Sequence, residues 1–145
     1  MNWKLIFQLS MFGLAMAIAT VSWIPSSIEL LFWLVILLIC AYFIAKKCPG
    51  RYFLHGFMVS IFNSVWMTAI HVTLFDRYMA NHPEAAQMSA SLPMSPRLGM
   101  VLMGPVIGAV FGVVLGVFAL VAAWRQAHAH ETMNPACNES RRLTF

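Results

Sequence analysis

The sequence predicts an all-α integral membrane protein, in which four transmembrane helices form an antiparallel bundle with both termini in the cytoplasm. Composition is the first observation behind this fold class: of 145 residues, 61% are hydrophobic and only 10% are charged. A soluble domain has about 45–50% apolar and about 25% charged residues, and one of this length could not bury so much apolar surface. The other two observations are four long apolar stretches and an uneven distribution of basic residues around them.

Each apolar stretch is long enough to cross a bilayer, because about 20 helical residues at 1.5 Å each span about 30 Å of hydrocarbon. Among the acidic and basic residues, only Glu29 falls within a stretch, and it lies at the edge. Short segments of alternating polarity, which are typical of a transmembrane barrel, do not occur. The predicted helices cover about residues 5–24, 28–45, 53–75 and 96–124, within a single transmembrane domain of residues 1–124.

The basic residues predict the orientation of the helices, because Lys and Arg are enriched in cytoplasmic segments. Two of them, Arg77 and Arg97, lie between the third apolar stretch and the fourth, which begins at Met100. The others lie near the N-terminus, between helices two and three, or after helix four: Lys4, Lys46, Lys47, Arg51, Arg125, Arg141 and Arg142. This asymmetry places both termini in the cytoplasm.

The first two connections are short. Helix one is expected to end before Pro25, because proline disfavours the helical conformation of the preceding residue. Ser26 and Glu29 then have the spacing of a capping box at the start of helix two. We therefore interpret Glu29 as a capping group at the membrane interface rather than as a buried proton carrier. Residues 46–51 contain a Pro-Gly pair and are expected to form a short turn.

The long connection is the outer loop, residues 76–95. Within it, residues 83–88 predict one or two helical turns capped by Asn81 or His82. The tail, residues 125–145, is polar and is expected to be a flexible cytoplasmic segment.

Helix four carries a glycine-zipper pattern, with glycine at every fourth position: Gly104, Gly108, Gly112 and Gly116. This spacing places the glycines on one helix face, which another backbone can approach closely. Helix one offers a matching surface in Gly13 and Ala17, although packing against another chain fits the pattern as well. Pro105 predicts a bend in helix four and is a candidate hinge.

Helix three carries a polar stripe, which is expected to face other helices because polar groups in hydrocarbon need partners. Together with Asp76 just beyond the helix, it forms a candidate polar site of five residues: Asn63, Ser64, Thr68, His71 and Asp76. One interpretation is that these side chains only form hydrogen bonds between helices. The other makes His71 a ligand-binding or proton-handling residue in a small cavity.

The sequence predicts no metal site, no cofactor and no catalytic residue. Its eleven methionines and five histidines include soft ligands that would suit copper(I), but their spacing is mostly irregular. Nucleotide-binding loops, HExxH and a serine nucleophile elbow are absent. The three cysteines, Cys40, Cys48 and Cys137, are expected to be free thiols.

Five segments carry a resemblance to a known family: PSSIE at 25–29, AKKCPGRYFLHGF at 45–57, NSVW at 63–66, NHPE at 81–84 and MGPVIG at 103–108. Over most of residues 3–124 the chain resembles a family of small bacterial inner-membrane proteins catalogued only as a domain of unknown function. The resemblance implies a four-helix, multi-pass protein of the bacterial inner (cytoplasmic) membrane. It implies no activity and no site residues, and the tail after Arg125 lies outside it.

The expected function is that of a non-catalytic membrane protein, which acts through helix packing in a homo-oligomer or a larger membrane complex. The expected partners are membrane lipids and other membrane subunits, and not nucleic acid. One alternative is a small transporter or channel with a polar path along helix three. A second alternative is a membrane enzyme or lipid-handling protein, in which His71, His82, Asp76 and Glu84 converge near the outer surface.

Overall fold

The structure, a computed structural model, describes residues 1–24, 26–91 and 93–133. Over these residues the chain forms six helices: α1 (Trp3–Ser22), α2 (Ser26–Lys47), α3 (Tyr52–Thr73), α4 (Phe75–Asn81), α5 (Pro83–Ala90) and α6 (Pro96–Met133). Four of them, α1, α2, α3 and α6, are long and apolar enough to cross a membrane. The prediction of four transmembrane helices is therefore confirmed, and the fourth predicted helix is α6.

Most predicted helix bounds lie within two residues of the observed ones. The exception is α6, which continues to Met133, nine residues beyond the predicted end at 124. Trp124 and His128 lie edge to face on this extension, with ring centroids 4.4 Å apart. The rest of the tail, residues 134–145, lies outside the described residues, so its predicted flexibility stays a prediction.

The predicted outer loop contains two short helices. Helix α5 covers the segment for which one or two turns were predicted, whereas α4 was not expected. Helix α3 ends at Thr73 because Leu74 leaves the helical conformation, with φ −104° and ψ 36°. Asn81 then ties α4 to the end of α1, since its side-chain amide donates to the Val21 carbonyl at 2.7 Å. We call this end of the bundle the α4–α5 end.

The opposite end carries the turn between α2 and α3, and we call it the Pro49 end. Gly50 has φ +144°, a conformation that glycine adopts easily and other residues rarely do. The backbone N–H of Asn2 donates to His55 Nε2 at 3.0 Å, which ties the start of α1 to the start of α3. His55 Nδ1–H donates to the Arg51 carbonyl at 2.9 Å, so both ring nitrogens are engaged.

The hydrophobic core lies toward the Pro49 end. Its buried side chains come from all four long helices: Leu5, Ile6, Leu9, Leu37, Cys40, Ala41, Ile44, Cys48, Val59, Leu115 and Ala119. Among the described residues of α2, those that are buried lie between Leu37 and Ala45. The first half of α2 therefore packs loosely, and it leaves space between α2, α3 and α6.

The glycine face of α6 packs against α3 of the same chain. Side chains of α3 occupy the places that a Cβ would need: Thr68 at Gly104, Ser64 at Gly108, Phe57 at Gly112 and Phe53 at Gly116. The surface that meets the four glycines thus belongs to α3 and not to α1, which was one of the two candidates that the sequence left open. Gly13 of α1 faces Asn63 of α3 instead, and Ala17 is fully buried.

Helix α6 is continuous through Pro105, whose role as a hinge stays a prediction.

Candidate functional site

A cavity of about 520 Å³ lies between α2, α3 and α6, and α4 and α5 contribute to its wall. Its deepest lining residues are Ser60 and Phe111, next to the hydrophobic core. At the α4–α5 end it is lined by Glu29, His71 and Tyr78. Ser60 and His71 are eleven residues apart on α3, which corresponds to about 16 Å along the helix axis. The cavity therefore extends along about half the length of α3.

Most of the cavity wall is apolar. Five methionines from α3, α4, α5 and α6 line it: Met67, Met79, Met88, Met100 and Met103. Trp33 of α2 and Phe111 of α6 add aromatic surface, with ring centroids 6.5 Å apart. Methionine side chains are flexible and polarizable. Such a wall adapts to apolar ligands of different shapes.

The polar stripe of α3 forms one side of the cavity. The predicted site residues Asn63, Ser64, Thr68 and His71 all line it, whereas Asp76 does not. Its carboxylate is 91% exposed and lies 3.9 Å from the Arg97 guanidinium. The structure thus brings four of the five candidate residues to one cavity and places the fifth on the surface.

Asn63 is an unusual member of the stripe. It is only 5% exposed, and its amide oxygen has no hydrogen-bond partner among the described residues. Gly13 makes room for this side chain, since a Cβ at Gly13 would lie 2.7 Å from Asn63 Cγ. An unsatisfied amide oxygen at this depth is costly. The residue lines the cavity, but its oxygen lies against Gly13 of α1, which does not line it.

At the α4–α5 end, three rings form a stack in which Tyr78 lies between two histidines. The ring centroids of His71 and Tyr78 are 4.1 Å apart, and those of Tyr78 and His82 are 4.4 Å apart. Both pairs are nearly parallel, with interplanar angles of 22° and 19°. Together with Thr20 and Glu29 these residues form what we call the Tyr78 cluster.

Hydrogen bonds fix the tautomer of each histidine in its neutral form. The Thr20 hydroxyl donates to the Ala17 carbonyl at 3.0 Å, so its oxygen accepts from His71 Nε2–H at 3.2 Å. His82 Nδ1–H donates to the Tyr78 carbonyl at 3.1 Å. The lone pair of His82 therefore lies on Nε2, which is buried and has no hydrogen-bond partner among the described residues.

Glu29 belongs to this cluster as well, and its interpretation as a capping group stays a prediction. Its Oε1 accepts a hydrogen bond from Trp33 Nε1–H at 3.3 Å. Its Oε2 lies 3.9 Å from His82 Nε2, beyond hydrogen-bond distance. The predicted capping partner, the Ser26 side chain, lies outside the described residues.

The phenol of Tyr78 stays protonated over the physiological pH range. Burial raises the pKa of Tyr78 above its ordinary value, and the Glu29 and Glu84 carboxylates raise it further. Tyr78 can therefore donate a hydrogen bond to a ligand in the cavity that it lines.

The four residues expected for an enzyme site converge only in part. His71 and His82 meet on the two faces of Tyr78, whereas Asp76 points to Arg97. In the part of the chain that the structure describes, no three His, Cys, Asp or Glu side chains are arranged to hold a metal ion.

Cys40 and Cys48 are free and buried, and Cys137 lies outside the described residues. The pKa of Cys48 is raised by burial, with the nearby N-terminus opposing this effect, so its thiol is a poor nucleophile.

Sequence reasoning did not assign Thr20, Gly56 or Tyr78 to any site. One signal was present for the packing partner of α6, because α3 has a small residue at every fourth position: Gly56, Ser60, Ser64 and Thr68. This row is complementary to the glycine row of α6. For Tyr78, the one-turn spacing to His82 was the only local indication.

Comparison with known proteins finds no matching family model, no matching curated protein and no matching solved structure. The resemblance to a bacterial inner-membrane family therefore stays a prediction, and the function of this chain has to be argued from its cavity.

Proposed function

We propose that the protein binds an amphipathic small molecule in this cavity, with the apolar part of the ligand against the methionines and its polar end at the Tyr78 cluster. The observation that carries the proposal is the division of one cavity into apolar walls and a polar end. Its volume of about 520 Å³ is within the range of about 300–1,000 Å³ that small-molecule sites occupy. This function corresponds to the lipid-handling alternative without a catalytic step.

Two further features favour binding over the other candidate functions. The glycine face of α6 is covered by α3 within the chain, so it offers no groove to a second copy. The cavity adjoins the hydrophobic core at Ser60 and Phe111, which argues against a continuous polar path to the Pro49 end. Both features support a ligand site that is accessible from one half of the membrane.

For the topology we propose an antiparallel bundle in a bacterial inner membrane, with both termini in the cytoplasm. The distribution of basic residues supports this orientation. At the end of α2, the Lys46 and Lys47 ammonium groups lie 5.7 and 5.4 Å from the ring centroids of Tyr42 and Phe43, an arrangement typical of an interface. The cavity would then be on the outer side.

This orientation predicts which positions react with a membrane-impermeant maleimide. In a Cys40→Ala, Cys48→Ala, Cys137→Ser background, Met88→Cys should be labelled in intact spheroplasts, because Met88 is 71% exposed on α5. Arg125→Cys, on the exposed extension of α6, should be labelled only after permeabilisation. The reverse pattern would show that the orientation is inverted.

The binding proposal predicts that filling the cavity removes its ligand. Met100 lines the cavity, whereas the neighbouring Val101 is 47% exposed and does not. Protein purified in a mild detergent should retain an extractable amphiphile, measured by mass spectrometry of the organic extract. Met100→Trp should retain about tenfold less, equivalent to about 1.4 kcal/mol of affinity, and Val101→Trp should retain as much as the unmodified chain.

Equal retention by Met100→Trp and Val101→Trp, in preparations that elute at the same size, would contradict the proposal. Equal loss from both variants would also contradict it, because the effect would then not depend on the cavity.

A further inference from the structure

The charge around the cavity has one sign. Among the described residues that line it, Glu29 is the only carboxylate, and there is no Lys or Arg. Arg97 lies one residue beyond the lining residue Pro96, but its guanidinium is held 3.9 Å from Asp76 and 5.0 Å from the centre of the Phe75 ring. Among the described residues, the lining of this polar end therefore carries one carboxylate and no Lys or Arg.

Glu29 lines the cavity, whereas its neighbour His82 does not. Glu29 Oε2 and His82 Nε2 face each other at 3.9 Å. Both are acceptors when His82 is neutral, because the ring proton of His82 is on Nδ1. His82 is only 2% exposed, and its Nε2 has no hydrogen-bond partner among the described residues. Two acceptors that face each other without a donor are stabilised by a cation beside them.

The rest of the wall suits an organic cation better than a hydrated metal ion. Trp33 lines the cavity next to Glu29, and an indole ring attracts cations through its quadrupole. The methionine sulfurs are polarizable. Burial raises the pKa of Tyr78, and the Glu29 and Glu84 carboxylates raise it further, which agrees with a negative charge at this end of the cavity.

From this arrangement we infer that the ligand is a lipophilic organic cation, with Glu29 as its counter-ion and Trp33 as its aromatic contact. The inference rests on the proposed binding function and adds the charge of the ligand to it. In this arrangement Glu29 recognises the charge of the ligand, and the flexible methionine side chains contact its apolar part without requiring one particular shape.

Tetraphenylphosphonium and tetraphenylborate have four phenyl groups each and differ in the sign of their charge, so they separate charge from hydrophobicity. Triphenylphosphine oxide, with three phenyl groups, is the neutral probe. Binding of each probe to the full chain in neutral maltoside micelles is measured by equilibrium dialysis, with empty micelles as the blank. The pH is held at one mildly alkaline value for every probe and every variant. The cation should bind at least about tenfold more tightly than the anion or the neutral probe.

Glu29→Gln keeps the shape of the side chain and should weaken binding of the cation by about tenfold, with no effect on triphenylphosphine oxide. Asp76→Asn is the matched control, because it removes an exposed carboxylate that does not line the cavity, and it should leave all three affinities unchanged.

Equal affinity for cation and anion on the unmodified chain would overturn the inference, whatever the variants do. So would unchanged cation binding by a folded Glu29→Gln variant. In either case, the proposed binding function would still stand if the unmodified chain binds the neutral probe and Met100→Trp abolishes that binding. Failure of all three probes to bind would overturn both.

Discussion

Replacing Gly56 with alanine is expected to lower the free energy of unfolding by about 1–3 kcal/mol, the usual cost of adding volume to a tightly packed site. A Cβ at this position would lie 2.9 Å from Cα and N of Gly116 and from the carbonyl carbon of Leu115. These are backbone atoms, so no side-chain rotation relieves the contact. Helices α3 and α6 would have to move apart, which disturbs Leu115 and Ala119 in the core. The midpoint of thermal unfolding in a mild detergent measures the effect.

Ala69→Leu is the matched control, because Ala69 lies on the exposed side of the same helix. It adds more volume than Gly56→Ala but faces lipid, so its unfolding midpoint should stay close to that of the unmodified chain. If Gly56→Ala is as stable as this control, the close approach of α3 and α6 is not the packing that stabilises the fold.

Thr20→Val is expected to destabilise the protein by about 1–2 kcal/mol, although it conserves the shape of the side chain. Thr20 is fully buried, and its hydroxyl oxygen is the acceptor for His71 Nε2–H at 3.2 Å. Without it, a buried donor has no partner, and the histidine that stacks on Tyr78 loses its anchor on α1. Thr20→Ser retains the hydroxyl and should recover most of the stability.

A double variant separates this hydrogen bond from general packing at Thr20. Phenylalanine at position 71 can still stack on Tyr78 but has no N–H that needs an acceptor. Thr20→Val combined with His71→Phe should therefore be more stable than the sum of the two single losses predicts. Additive losses in the thermal midpoints would show that the two side chains are not coupled.

The membrane spans could be predicted from the sequence because their evidence is local. Each helix is a continuous apolar stretch, and the charged residues leave these stretches nearly intact. Apolarity marks where a helix leaves the membrane but not where it ends. Helix α6 continues through 125–133, where alanine, glutamine and arginine have high helix propensity. The seven residues of α4 are too few to show a periodic pattern.

The site could be predicted only on the side where a single helix defines it. The polar stripe of α3 was found because polar groups in a membrane helix must face its neighbours. The partners of that stripe come from other segments: Thr20 lies 51 residues from His71 along the chain, and Glu29 approaches His82 across the bundle. No local pattern encodes such contacts. The glycine row likewise showed which face of α6 packs closely, but not which helix it meets.

The loose packing of the first half of α2 has a consequence for how a ligand reaches the cavity. Stability is distributed unevenly along this helix, because its buried contacts are concentrated between Leu37 and Ala45. Local opening of the other half, near Glu29 and Trp33, breaks few contacts and so requires much less free energy than global unfolding. A molecule dissolved in the bilayer can thus enter sideways, through a transient separation of one half-helix, while the core at the Pro49 end stays folded.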